Sequence, residues 1–92
     1  MPSVTVEVAS VLSAFTNDVT RLRAQGQTVG AALEDLLRRH PALRPRLFGD
    51  DGTLREHVLI FVNEERVAYR GGAGPTLAPG DRIHVLQAVS GG

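Results

Sequence analysis

Valines occupy positions 4, 6 and 8, with Thr5 and Glu7 between them. A period of two with β-branched residues on one side predicts a strand over residues 3–8 with one buried face. Val11, Leu12 and Phe15 come next and are expected to fill the following loop or fold back onto the core. Asn17-Asp18 is a turn signal. Residues 19–24 read as a second strand, hairpin-paired with the first, and Arg21 and Arg23 around Leu22 suit a sheet edge.

The period then changes. Thr28 is placed to cap a helix, its hydroxyl accepting from an otherwise unpaired N–H. Val29, Ala32, Leu33, Leu36, Leu37 and His40 share one helical face, and Glu34, Asp35, Arg38 and Arg39 share the other. Acidic residues precede basic ones along this helix, which suits its macrodipole, and Pro41 ends it.

The segment His40–His57 reads as an insert, with one helical turn near residues 43–48 that packs Leu47 and Phe48 inward and a surface turn at Gly49-Asp50-Asp51-Gly52. Val58, Ile60 and Val62 alternate again, with Leu59 and Phe61 on the opposite side of that strand. Asn63-Glu64-Glu65 turns the chain, residues 66–68 return as a short strand, and residues 70–75 read as a flexible loop. Leu77-Ala78-Pro79-Gly80-Asp81 leads into a last strand over 82–89.

The order is strand, strand, helix, strand, short strand, strand. It predicts an α+β chain of β-grasp type: a mixed sheet of four to five strands with one main helix packed on one face. The first and last strands would lie parallel at the centre, which fits their Val and Ile content, with a right-handed crossover through the helix. The expected organisation is a single domain over 1–89 and a tail over 90–92.

Composition narrows the function. Ninety-two residues make one domain. Ten basic residues balance ten acidic ones, so no excess charge points to nucleic acid or to an anionic membrane. All the basic residues are arginine, and without lysine the chain could not be linked to further copies through its own lysines. The absence of cysteine excludes disulfides, thiolate metal sites and cysteine nucleophiles. Met1-Pro2-Ser3-Val4 lacks the basic and apolar regions of a signal peptide, and no apolar run is long enough to span a membrane. The expected location is cytoplasmic.

The chemistry concentrates at the C-terminus. Gly91-Gly92 follow directly on the last strand. Neither has a Cβ, so this tail can thread a narrow channel. Ser90, Gly91 and Gly92 extended reach about 10 Å, which would carry the Gly92 carboxylate clear of the fold to where another enzyme could adenylate it. The competing reading is an ordinary terminus. Leu59, Phe61, Leu86 and Ala88 would share the sheet face opposite the helix, with His84 at its edge. An exposed apolar patch there would be a docking surface, unless the His40–His57 insert folds over it.

Other motifs carry less. His40, His57 and His84 lack metal-ligand spacing, so no metal site is expected. Arg70-Gly71-Gly72 is followed by neither a Lys-Ser/Thr pair nor a helix start, and reads as a turn rather than a phosphate cradle. Arg38, Arg39, Arg44 and Arg46 form a local basic cluster, read as a solvated face or as a contact for an acidic partner. No Ser-His-Asp order, paired carboxylates or nucleophile elbow emerges from the sequence.

Several of these features together resemble the ubiquitin-like sulfur carriers of the ThiS/MoaD type. They are the Val-rich first strand, Thr28-Val29-Gly30 opening a helix with Leu33 and Leu36-Leu37, Val62-Asn63-Glu64-Glu65, the run Leu77 to Ile83, and the ending Ala88-Val89-Ser90-Gly91-Gly92. The insert resembles that of the molybdopterin-synthase small subunit and of actinobacterial carriers for cysteine biosynthesis or secondary metabolism. The resemblance implies that a ubiquitin-activating-type enzyme uses ATP to adenylate Gly92, and that a sulfur donor displaces AMP to leave a thiocarboxylate. A sulfur-accepting biosynthetic enzyme then consumes the sulfur. It implies a carrier acting as co-substrate of those two enzymes rather than an enzyme itself, no bound cofactor and a monomer when free. The charge balance and the lack of a long apolar run already leave no nucleic-acid or membrane partner expected. A molybdopterin-synthase-like subunit, a ubiquitin-like modifier and a plain interaction module remain as alternatives.

Overall fold

The computed structural model describes residues 2–88. β1 (Ser3–Val8) and β2 (Arg21–Gln25) form an antiparallel hairpin, and α1 (Val29–Arg39) crosses one face of the sheet. α2 (Arg44–Leu47) is a single turn inside the insert. β3 (Val58–Val62), β4 (Glu65–Val67) and β5 (Arg82–Gln87) complete a five-stranded sheet in the order β2-β1-β5-β3-β4. β1 and β5 are parallel at the centre, and all other neighbours are antiparallel. This is the β-grasp arrangement that the element order predicts. The expectations for Val89, Ser90, Gly91 and Gly92, and with them the boundary after residue 89, lie outside the described residues.

The alternation in β1 does what period-two patterning requires. Val4, Val6 and Val8 are buried beneath α1, together with Ile83 and Val85 of β5 and Val58 and Ile60 of β3. From α1, Val29, Ala32, Leu33, Leu36 and Leu37 close the core. Each Val, Leu or Ile side chain among them contributes about 1.5–3 kcal/mol when fully buried. Thr28 caps the helix as expected, its Oγ1 accepting from the Ala31 N–H at 3.1 Å. The helix stops at Arg39. His40, half-buried, is its C-cap rather than part of its apolar face, because the residue before a proline is held out of the α region.

Apart from shifts at strand ends, with β4 over 65–67 rather than 66–68 and β5 stopping at Gln87 so that Ala88 lies outside the strand, three segments differ from the sequence reading. Residues 10–15 form a 3-10 helix in which Leu12 is buried and Phe15 packs against the core, but Val11 is 63% exposed. Three residues per turn put positions 12 and 15 on one side and position 11 on another. The second strand starts at Arg21 rather than 19. Asn17 and Asp18 both take positive φ, and Thr16 Oγ1 donates to the Val19 carbonyl at 2.6 Å, so the turn extends past Val19. The segment 70–75 is tied down rather than loose. The Gly30 N–H donates to the Ala73 carbonyl at 2.7 Å, the Val29 N–H to the Pro75 carbonyl at 3.0 Å, and the Tyr69 hydroxyl to the Gly72 carbonyl at 2.8 Å. The approach is close enough that a Cβ on Gly30 would sit 1.9 Å from the Gly72 oxygen.

The insert deepens the core on the helix side. Leu43 and Leu47 are fully buried, and Leu54 and Phe48 nearly so. It adds to the α1 layer and leaves the other face of the sheet uncovered.

Candidate docking face

Strand parity and register build the uncovered face. Glu7 pairs laterally with Arg21 of β2 and with His84 of β5, His84 pairs with Phe61 of β3, and Phe61 with Arg66 of β4. One row of side chains therefore runs across all five strands: Arg21, Glu7, His84, Phe61, Arg66. Two residues along, toward the C-terminal end of β5, Leu86 pairs directly with Leu59. Two residues the other way, Arg23, Thr5 and Arg82 form a polar row.

The structure thus brings together the residues that sequence parity selects. Leu86 is 38% exposed, Leu59 and Phe61 are half-buried, and Ala88 is exposed beyond the strand end. The Ala88 N–H donates to the His57 carbonyl at 2.7 Å, which anchors the chain immediately before Val89. His84 is half-buried, and its Nε2 lies 3.2 Å from Glu7 Oε2. The other carboxylate oxygen of Glu7 accepts from Arg21 Nη2 at 3.0 Å and Nε at 3.2 Å. The Arg21 guanidinium, assisted by His84, holds the Glu7 carboxyl below its ordinary pKa.

Glu7, Arg21, Arg66 and Arg82 were not selected from the sequence. The signal was there in the period-two parity of the strands, but it needs the sheet order to place four separated residues on one surface.

The basic cluster of Arg38, Arg39, Arg44 and Arg46 does not survive as a cluster. Arg38 and Arg39 both pair with Asp35, Arg44 forms two bonds to Glu34 at 3.1 and 2.6 Å, and Arg46 lies over the Phe15 ring at 4.5 Å. A concavity of about 630 Å³ between the start of α1 and the 48–52 and 69–73 segments contains Glu34, Arg44, Asp50 and Tyr69, with the Glu34–Arg44 pair already satisfied across it. Among the described residues no group of three or more His, Asp or Glu side chains could hold a metal ion, and no helix is long and apolar enough to cross a membrane.

The model of the ThiS family matches residues 6–92. The chain belongs to the ThiS family. Sulfur carrier protein CysO of Mycobacterium tuberculosis is 35% identical over 92 residues, covering 98% of this chain and 99% of that protein. Small archaeal modifier protein 1 of Haloferax volcanii is 45% identical over 65 residues, 71% of this chain and 70% of that one. Among solved structures, a BexX/CysO complex from Amycolatopsis orientalis superposes with a TM-score of 0.84 at 31% identity, covering 97% of this chain and 99% of the matched chain. The resemblance to ubiquitin-like sulfur carriers and the β-grasp assignment are both borne out.

Two motifs that carry the resemblance in this ThiS-family chain have a structural explanation. Ala78-Pro79-Gly80-Asp81 is a β-turn with proline at its second position, glycine at φ +85° in the third, and the Asp81 N–H donating to the Ala78 carbonyl at 3.1 Å. Asn63 and Glu64, both at positive φ, make the two-residue turn of the β3–β4 hairpin. The Asn63 side chain bridges the two motifs.

Proposed function

We propose that this chain is a sulfur carrier whose reactive group is the Gly92 carboxylate. The carboxylate attacks the α-phosphorus of ATP in a ubiquitin-activating-type enzyme and pyrophosphate leaves. Hydrosulfide delivered by a sulfur donor attacks the carbonyl carbon of the resulting acyl-adenylate, the bond to the AMP oxygen breaks, AMP leaves, and a thiocarboxylate results. A sulfur-accepting biosynthetic enzyme consumes that sulfur. The carrier supplies the handle and the docking face, and ATP belongs to the partner. The observation that carries this reading is a likeness to the sulfur carrier CysO that runs the full length of the chain.

The fold supports it physically. β5 lies at the centre of the sheet, held by β1 on one side and β3 on the other, so the segment leading to the tail is anchored. Four residues, 89–92, span at most about 13–14 Å. A partner seated on Leu59, Phe61 and Leu86 with Ala88 and His84 would place its own channel within that reach, with Ser90 and Gly91 threading it. Adenylation converts a poor acyl electrophile into a good one, and a dry channel protects the thiocarboxylate from water.

The test is loading. Incubated with the activating enzyme of its own organism, ATP and a sulfur source, the chain should gain the mass difference of one sulfur replacing one oxygen. Removal of Gly92 should abolish that gain while thermal unfolding is unchanged. An unchanged mass with an enzyme that is competent on its own carrier refutes the reading.

The likeness to small archaeal modifier protein 1 favours a second reading, in which the same carboxylate is joined to amines of target proteins. Denaturing blots of the producing cells separate the two. High-mass conjugates that disappear on removal of Gly92 establish the modifier role.

A further inference from the structure

The chain is electrically balanced, but its open sheet face is not. Among the described residues, outward strand positions carry Arg21, Arg23, Arg66 and Arg82 against the carboxylate of Glu7, with Glu56 just ahead of β3 lining the same cavity as Leu59 and Arg66. The compensating acids include Glu34 and Asp35 on α1 and Asp50 and Asp51 in the turn that follows the insert's helical turn. Glu7 is engaged with Arg21 and His84. Arg66 and Arg82 have no carboxylate within ion-pair distance among the described residues.

The charges are also ordered in space. The Leu59–Leu86 pair lies toward the end of β5 that leads to the tail, and Arg82 and Arg23 lie toward the other end. Arg21 and Arg66 stand on the two outer strands, four strand spacings or about 19 Å apart. An apolar contact near the reactive end is thus bordered by cations. A second copy of the chain would meet this face with like charge, which disfavours self-association through it.

We propose that the open face recognises a partner surface that is apolar where it meets Leu59, Phe61 and Leu86 and rich in Asp and Glu where it meets Arg66 and Arg82, and that this surface belongs to the activating enzyme. The inference rests on the carrier reading and adds the chemistry of the partner. Exposed charges at such a rim act mainly on encounter rather than on the chemical step. Their field is strong at low ionic strength and shortens as the screening length falls from about 10 Å at 0.1 M salt to about 3 Å at 1 M.

The experiment measures adenylation of the full chain by the activating enzyme across a salt series, for wild type, R66Q/R82Q and the control R38Q/R44Q. The control loses the same charge from α1 and the insert. Circular dichroism confirms that each variant is folded. For R66Q/R82Q, kcat/KM should fall about tenfold at low salt, through KM with kcat unchanged, and its salt dependence should flatten. The control should stay within about twofold of wild type. R66Q/R82Q loading with wild-type efficiency at low salt overturns this proposal and leaves the carrier reading intact. A wild-type chain that gains no sulfur refutes the carrier reading and this proposal with it. If a labelled RNA oligonucleotide binds wild type but not R66Q/R82Q while adenylation is unaffected, the face serves nucleic acid and the proposal fails.

Discussion

Asn63 Nδ2 donates to Asp81 Oδ1 at 2.9 Å, joining the turn of the β3–β4 hairpin to the turn that launches β5. The second Asp81 oxygen accepts from the Ala78 N–H at 2.8 Å, and Asn63 Oδ1 accepts from the Arg82 N–H at 3.0 Å. Two side chains thus fix where the strand carrying the tail begins. Replacing Asp81 by Ala leaves both donors without this acceptor at a partly solvated site. We expect a loss of about 1 kcal/mol in urea unfolding, with the β5 amides next to Asp81 showing faster hydrogen exchange.

The same contacts give stability a pH dependence. Hydrogen bonds from the Ala78 N–H and then from Asn63 lower the Asp81 pKa. The Gln25 N–H, followed by Arg38, lowers that of Asp35. Arg44 lowers that of Glu34 and Arg21 that of Glu7. All are depressed, so the unfolded chain binds more protons in the acid range. Their contribution is present above the ordinary carboxylate range and disappears as pH falls through the lowered folded values. Because these groups face solvent, the effect is screened and modest. Urea midpoints measured from neutral to strongly acidic pH should fall only at the acid end, and added salt should weaken the trend.

Glu64 has φ 75° in a two-residue hairpin turn. A side chain there carries a left-handed penalty of about 1–2 kcal/mol, which exceeds the entropic cost of glycine. Glu64→Gly is expected to raise stability by about 0.5–1 kcal/mol. Equilibrium unfolding measures it, and a lowered midpoint contradicts the strain.

Gly30 gives the opposite case. The Gly72 carbonyl occupies the space that a Cβ would need, and the segment around it is bonded to α1 by the Val29 and Gly30 N–H groups. Gly30→Ala should destabilise by about 3 kcal/mol, the upper part of the usual range for overpacking. A midpoint within error of wild type shows that the 71–74 segment moves away freely.

Leu86 is an exposed apolar residue paired with Leu59 on the open face. Leu86→Asp should leave the thermal midpoint nearly unchanged, because the side chain contributes little to the core. It should raise KM for adenylation by about tenfold or more, on the scale of a lost central apolar contact. Equal kinetics for wild type and variant place docking elsewhere.

The sequence by itself determined the first strand, the main helix and their inward faces. Val4, Val6 and Val8 can only alternate as a strand, and the spacing from Val29 to Leu37 can only form a one-sided helix, because side-chain direction follows backbone period. It also marked where the last strand begins, after Pro79-Gly80, a pair that leaves the backbone few conformations. The tertiary structure decided what depends on contacts between distant segments. The pinning of Gly72 over Gly30 and the Asn63–Asp81 bond are of this kind, as are the placement of the insert on the α1 side and the exposure of Val11. So is the gathering of Arg21, Glu7, His84, Phe61 and Arg66 into one row. A local pattern fixes which way a side chain points within its own element, but only strand order and register fix which side chains become neighbours.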